Sequence, residues 1–278
     1  MTIVTRFAPS PTGLLHLGHA FAALFAEARA SVPGGRFLLR VEDIDPTRCR
    51  PEFEAALLED LAWLGLVWEE PVRRQSEHMA DYRAALTLLE SEGLVYPCFC
   101  TRREIAAEIA AAAEAPHGPD GPVYPGICRA LTEAERRERI ATGVPFALRL
   151  DMAEARRRAG PLTWTDRARG PQDARPEIFG DVVLTRKDTP ASYHLAVTVD
   201  DARQGVTLVT RGEDLFAATH VHRLLQALLG LPAPAYFHHR LLVGADGQRF
   251  AKRARSLTLR SLREAGRTPA EVRTMAGF

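Results

Sequence analysis

An α/β fold with a parallel sheet, made in two halves around an inserted cysteine-bearing segment, is what the sequence predicts. Three observations carry this: a strand–loop–helix–strand opening at 3–41, a cysteine-rich change of composition after Tyr96, and a second pair of apolar segments between 181 and 214. Alternation of strand and helix with short connections is the pattern of right-handed parallel units.

The opening is the most informative stretch. Ile3–Phe7 is short and rich in β-formers, Pro9 and Pro11 exclude regular pairing, and the alanine-rich run 20–30 is a strong helix former. His16 and His19 therefore fall near a helix N-terminus, where free amides and the helix dipole favour phosphate. Gly18 between them has no side chain, so a flat nucleotide could approach the backbone. Gly34-Gly35 turns the chain into a strand, Arg36–Val41, followed by the acidic run Glu42-Asp43-Ile44-Asp45-Pro46-Thr47-Arg48. In parallel sheets ligands sit beyond the carboxyl ends of strands, which places the Ser10 loop and Glu42 on one rim. Residues 51–66 and 76–92 show helical periodicity, with Trp63 expected in the core.

Cys98-x-Cys100 is followed by an alanine-rich helix, a Pro/Gly-rich loop at 116–125 and Tyr124-x-x-x-Cys128. Thiols clustered in this way suit zinc, which takes four ligands in tetrahedral geometry. Cys98, Cys100 and Cys128 supply three; His117 and Tyr124 are alternatives for the fourth, and Cys49 stands apart as an ordinary thiol. Strands are expected at 146–150 and 163–170, with a charged turn or short helix between them. The apolar segments within 191–201 and 206–211 read as two further strands ending in polar groups, with a helix at 219–229 and a strand at 240–243. The segment Arg249-Phe250-Ala251-Lys252-Arg253 follows. Only two lysines, Lys187 and Lys252, occur among 36 basic residues, and Lys252 has the better context for a needed point charge.

A length of 278 residues with 46% hydrophobic content can bury a large core. The net charge of +1 excludes a broad polyanion-binding surface and leaves room for a local basic patch. No apolar run approaches the roughly 20 residues of a membrane span. A cytoplasmic monomer without a membrane partner is expected.

Arg6-Phe7-Ala8-Pro9-Ser10-Pro11-Thr12-Gly13 through His19 resembles the signature of class I aminoacyl-tRNA synthetases, in their glutamate branch. Glu42–Arg48, Tyr193-His194-Leu195-Ala196 through Arg211-Gly212-Glu213, and the altered lysine loop at 249–253 resemble further elements of that branch. The resemblance covers about residues 3–253. With Cys-x-Cys, Tyr-x-x-x-Cys and only 25 residues after Arg253, it is to the glutamyl-Q tRNA(Asp) synthetases. It implies a Rossmann-type catalytic core without an anticodon-binding domain, divided as core at 1–95 and 181–255, inserted zinc-bearing subdomain at 96–180, and a short tail at 256–278. It further implies glutamate held by Arg6, Phe7, Ala8, Pro9, Ser10, Glu42, Tyr193 and Arg211. ATP with Mg²⁺ would be held by His16, Gly18, His19 and Lys252, of which both histidines and the lysine are catalytic, and one zinc by Cys98, Cys100, Tyr124 and Cys128. The implied activity is ATP-dependent activation of glutamate and its transfer to queuosine at the wobble position of tRNA(Asp). Val197 stands where glutamyl enzymes commonly have Asn. Two alternatives remain: a truncated glutamyl-tRNA synthetase charging a tRNA 3′ end, and a non-catalytic zinc-bearing RNA-binding relative.

Overall fold

The computed structural model describes residues 2–111, 117–242 and 258–278; Lys252 and its neighbours in 249–253 lie outside the described residues. In order, the elements are β1 (Val4–Phe7), α1 (Leu17–Ala30), β2 (Arg36–Val41), α2 (Pro51–Trp63), β3 (Glu69–Arg74), α3 (Met79–Ser91) and β4 (Val95–Cys98). The cysteine segment contributes α4 (Arg102–Ala111), a small hairpin β5 (His117–Gly118) and β6 (Gly121–Pro122), and α5 (Glu133–Ala141). Then come β7 (Ala147–Leu150), α6 (Met152–Ala159), β8 (Thr163–Asp166), β9 (Gly170–Asp173), β10 (Val183–Thr185), α7 (Tyr193–Arg203), β11 (Leu208–Gly212), α8 (Ala218–Leu228), β12 (Ala235–His239), α9 (Leu259–Glu264) and α10 (Pro269–Met275).

Strand β2 pairs in parallel with both β1 and β3. Strand β12 pairs in parallel with β11 and β8, and β8 carries β9 antiparallel at the edge. The two sheets adjoin at β1 and β11, where the Thr207 amide donates to the Val4 carbonyl at 3.0 Å and the Val4 amide to Thr207 Oγ1 at 2.9 Å. A separate antiparallel sheet, β10-β7-β4, underlies the cysteine segment.

Burial explains the layers. Leu39 and Val41 of β2 pack with Ala20, Phe21 and Leu24 of α1 and Leu57 and Leu61 of α2, and Leu259, Leu262 and Val272 of α9 and α10 join the same core. A second core gathers α3, α6, α7 and α8 around Leu89, Ala155, Leu195 and Leu225, and Val4 and Leu38 pack with Trp164, Val209 and Tyr236 in a third. Trp63 is half-buried against the first core.

Two sequence expectations are corrected. The run from Tyr193 is a helix, capped by the Ser192 hydroxyl, and not a strand. Leu195 through Asp201 are all buried, apolar and polar alike, so the run loses the period that separates helix from buried strand. The strand expected at 240–243 lies earlier, at Ala235–His239, where Tyr236 and His238 are buried and the backbone matches β11 residue for residue; Arg240 is already exposed.

Candidate active site and cysteine centre

His16 is the N-cap of α1. Its Nδ1 accepts from the Gly18 amide at 3.1 Å, and His19 Nδ1 accepts from the His16 amide at 3.2 Å. Both rings therefore carry their proton at Nε2 and can donate only from there. They stack with centroids 3.8 Å apart. Burial lowers both, His19 to about 3 with His16 adding to the effect, so at neutral pH the pair is uncharged. Gly18 has a steric role: a Cβ there would stand 3.0 Å from the His16 ring. The chain returns to this point at Thr258, which bridges to His16, with the Leu259 amide donating to the Leu15 carbonyl at 2.8 Å. Thr258, where the described chain resumes, thus lies beside the histidines.

The Ser10 loop and the acidic run do share one rim. The Glu42 amide donates to the Pro9 carbonyl at 3.0 Å, and the Arg50 amide to the Pro11 carbonyl at 3.0 Å. A cavity of about 110 Å³ opens there, lined by Ser10, Glu42, Gln75, Ser192 and Tyr193 among others. Phe7 is buried in the first core, and Ala8 and Pro9 carry the chain from it to Ser10. Arg6 is buried, donating from Nε to Asp201 Oδ1 at 2.9 Å and from Nη1 to the Thr210 carbonyl at 3.0 Å. Arg211 is also buried and shares its Nη1 with the Tyr193 hydroxyl at 3.3 Å. Val197, one helical turn after Tyr193, is buried.

Sequence reasoning missed the groups that hold these. Arg40 is fully buried and joins Asp201 at 2.8 Å, Gln204 at 3.0 Å and Glu42 at 3.3 Å. Asp200 accepts from Arg73 at 2.7 Å, Gln75 at 2.8 Å and Tyr82 at 2.9 Å. Burial raises the Glu42 carboxyl despite the opposing pull of Arg40 and Arg6, so this acid gains from a further cation. An arginine in the middle of the apolar strand β2 was the available signal, since a charge there must be paired. Another missed set surrounds Arg211: His222, Thr219, His238 and, behind His238, Asp166.

The three insertion cysteines converge, their sulfurs all within 4.8 Å of one another. Cys100 Sγ is 3.3 Å from Cys128 Sγ, and the Tyr124 oxygen is 3.5 Å from Cys98 Sγ and 3.6 Å from Cys100 Sγ. Zn–S of about 2.3 Å and Zn–O of about 2.0 Å in a tetrahedron separate S from O by about 3.5 Å and S from S by about 3.8 Å. The donor set fits such an ion. Gly126, at φ 83°, turns the chain between Tyr124 and Cys128 in a conformation that L side chains rarely adopt. The Cys128 amide donates to the Tyr124 oxygen at 2.8 Å and the Arg149 guanidinium lies over the tyrosine ring. The His117 side chain lies outside the described residues. Cys49 stands apart, beside Glu42. Lys187, which sequence gave no role, donates to the Phe99 carbonyl at 2.7 Å and ties the cysteine segment to the turn before α7.

A parallel sheet with a histidine-capped helix start and a paired-charge pocket at its rim is the frame that comparison with known proteins places in a family. The family described as "tRNA synthetases class I (E and Q), catalytic domain" matches residues 2–276, and the chain belongs to this family and is a ligase of it. Among curated relatives, a glutamyl-Q tRNA(Asp) synthetase of Rhodobacter capsulatus is 51% identical, covering 99% of this chain and 100% of the relative. One from Symbiobacterium thermophilum is 46% identical over 96% of this chain and 83% of its own. A solved glutamate tRNA ligase of Elizabethkingia meningosepticum, in complex with its amino acid, superposes with a TM-score of 0.80 at 28% identity; this chain is covered fully and spans 61% of that one.

The buried histidines set an acid limit. His19 is held at about 3, and His194 and His238 at about 4, chiefly by burial. An unfolded histidine titrates near about 6.5. Their contribution is therefore complete above about pH 6.5 and is lost as pH falls towards 4, because only the unfolded chain takes up the protons. Asp60, raised by burial to about 6, and Glu42 and Asp120, also raised by burial, act in the opposite sense. The urea midpoint should be clearly lower at pH 5 than at pH 7.5; an equal or higher midpoint at pH 5 would show that these histidines are protonated in the fold.

Proposed function

We propose that the chain activates L-glutamate with ATP, without requiring tRNA, and transfers the glutamyl group to queuosine at the wobble position of tRNA(Asp). The observation that carries the reading is the cavity at the Ser10–Glu42 rim, with Glu42 on its wall, buried Arg6 near enough to pull on that acid, and buried Arg211 bonded to Tyr193 of the lining. One acid and two guanidiniums match the one ammonium and two carboxylates of glutamate. In this reading Glu42 takes the ammonium, Arg6 and Arg211 the carboxylates, and Ser10 and Tyr193 add hydrogen bonds, with Phe7, Ala8 and Pro9 shaping the wall. A planar guanidinium suits a carboxylate better than an amide, so glutamine is rejected.

Adenylation needs positioning and charge and no protein nucleophile. A glutamate carboxylate oxygen attacks the α-phosphorus of ATP, bound with Mg²⁺, and the bond to pyrophosphate breaks. The Nε2–H groups of His16 and His19 donate to the phosphates beside Gly18, and Lys252 follows the charge on the departing pyrophosphate. An acceptor group on the base then attacks the acyl carbon and AMP leaves. Full coverage of a relative bearing the glutamyl-Q tRNA(Asp) synthetase name supports this acceptor over a tRNA 3′ end. Unstacked loop bases are the form in which proteins commonly read RNA. The protein would act in the cytoplasm as a monomer, with its catalytic core needing no anticodon-binding domain for a loop bound in the active-site cleft.

Pyrophosphate exchange should occur with glutamate and ATP alone and not with glutamine, and Lys252→Ala should slow it about 10²-fold or more, as for loss of one transition-state donor. Labelled glutamate should pass to queuosine-containing tRNA(Asp), with a linkage that survives removal of the 3′ CCA. Transfer that depends on CCA would establish the truncated glutamyl-tRNA synthetase instead, and absence of exchange the non-catalytic reading.

For the cysteine centre we propose one structural zinc held by Cys98, Cys100, Tyr124 and Cys128, which leaves no ligand position open for water. Purified protein should contain about one zinc per chain, lost in Cys98→Ser/Cys100→Ser. Zinc retained in that double variant would refute the site, and full retention in Tyr124→Phe would move the fourth ligand to His117.

A further inference from the structure

Arg211 is held unlike the other buried arginines of the site. Arg6 and Arg40, both buried, and the half-buried Arg73 each meet an aspartate. Arg211 is bound by uncharged groups: Nε by His238 Nε2 at 3.2 Å, Nη1 by His222 Nδ1 at 3.1 Å and the Tyr193 hydroxyl at 3.3 Å, and Nη2 by Thr219 Oγ1 at 2.6 Å. Among the described residues no carboxylate pairs with it. A guanidinium can only donate, so the ring nitrogens facing it must carry lone pairs. That fixes both histidines. His238 holds its proton at Nδ1 and gives it to Asp166 Oδ2 at 2.6 Å; His222 holds its proton at Nε2 and faces His194 Nδ1 at 3.1 Å. Asp166 is itself fixed by the backbone amides of Ala168, Arg169 and His238. Its charge is thus kept one imidazole away from Arg211.

We propose that His222 and His238 are positioning residues which hold Arg211 through neutral acceptors, leaving its positive charge to be matched by a carboxylate of the bound amino acid. The proposal rests on the glutamate reading above. A buried cation without a counter-ion is costly, and a substrate carboxylate that supplies the missing charge is correspondingly favoured. Aspartate or glutamate in place of either histidine would fix the guanidinium equally well but would cancel the charge that the substrate needs. The lowered titration of both rings, from burial and from Arg211, agrees with this geometry.

The isosteric pair His222→Asn and His222→Asp isolates the charge, because both place an oxygen close to the position of Nδ1. In pyrophosphate exchange, Asn should keep KM for glutamate within about threefold of wild type, whereas Asp should raise it about tenfold or more with a smaller change in kcat. A KM for the Asp variant equal to or below that of the Asn variant overturns the proposal while leaving glutamate activation by the wild type intact. A wild type that catalyses pyrophosphate exchange with another amino acid but not with glutamate refutes the glutamate reading and this carboxylate role with it. Independently of folding in the variants, ¹⁵N imidazole spectra of the wild type at pH 7 should show His222 protonated at Nε2 alone and His238 at Nδ1 alone. A doubly protonated ring at either position overturns the proposal.

Discussion

The site depends on one buried carboxylate. Asp201 Oδ1 accepts from Arg6 Nε at 2.9 Å and from Arg40 Nη1 at 2.8 Å, and so joins β1, β2 and α7 at a single atom. Two guanidiniums cannot be buried side by side without such a counter-charge, and removing one partner from a buried pair typically costs about 3–5 kcal/mol. Asp200, the preceding residue, does the same for Arg73 and takes Tyr82 and Gln75 as well. The C-terminal turn of α7 is therefore where β1, β2 and β3 are all tied to one helix. The N-terminal turn of the same helix carries Tyr193 to the cavity wall. A helix with acids at one end and the phenol at the other couples the packing of the core to the shape of the pocket.

This arrangement also explains what could be read from the sequence. The first forty residues were legible because their signals are local: prolines exclude pairing, alanines continue a helix, and two glycines turn the chain into β2. The convergence of the three cysteines was legible because Cys-x-Cys is a short spacing; Tyr124 entered through the family resemblance, and its oxygen lies 3.5 Å and 3.6 Å from the Cys98 and Cys100 sulfurs. The helix α7 was not, because burial on nearly every side erases the periodicity of its sequence. The partners of Arg6 and Arg211 were invisible for a different reason. Asp201 lies 195 residues from Arg6, and Asp166 lies 72 from His238; only the folded topology makes them neighbours.

Charge is used in contrasting ways across the site. Arg6 and Arg40 are tied to carboxylates, which fixes them rigidly and neutralises them in part. Arg211 is fixed by rings and hydroxyls and keeps its charge. The two histidines at the start of α1 are neutral and oriented by backbone amides, so they act as directed donors and not as cations. The cysteine centre stands outside this chemistry, joined to the core through Lys187 and the strands β4, β7 and β10.

The central claim is that this rim reads glutamate by charge, with Glu42 on the ammonium and the arginines on the carboxylates. A crystal structure with a non-hydrolysable glutamyl-adenylate analogue tests it most directly. The account predicts the amino group within hydrogen-bond distance of Glu42, the side-chain carboxylate on Arg6 or Arg211, and the phosphate facing Nε2 of His16 or His19. An analogue bound with its amino group away from Glu42, or with its side chain meeting neither arginine, would contradict it.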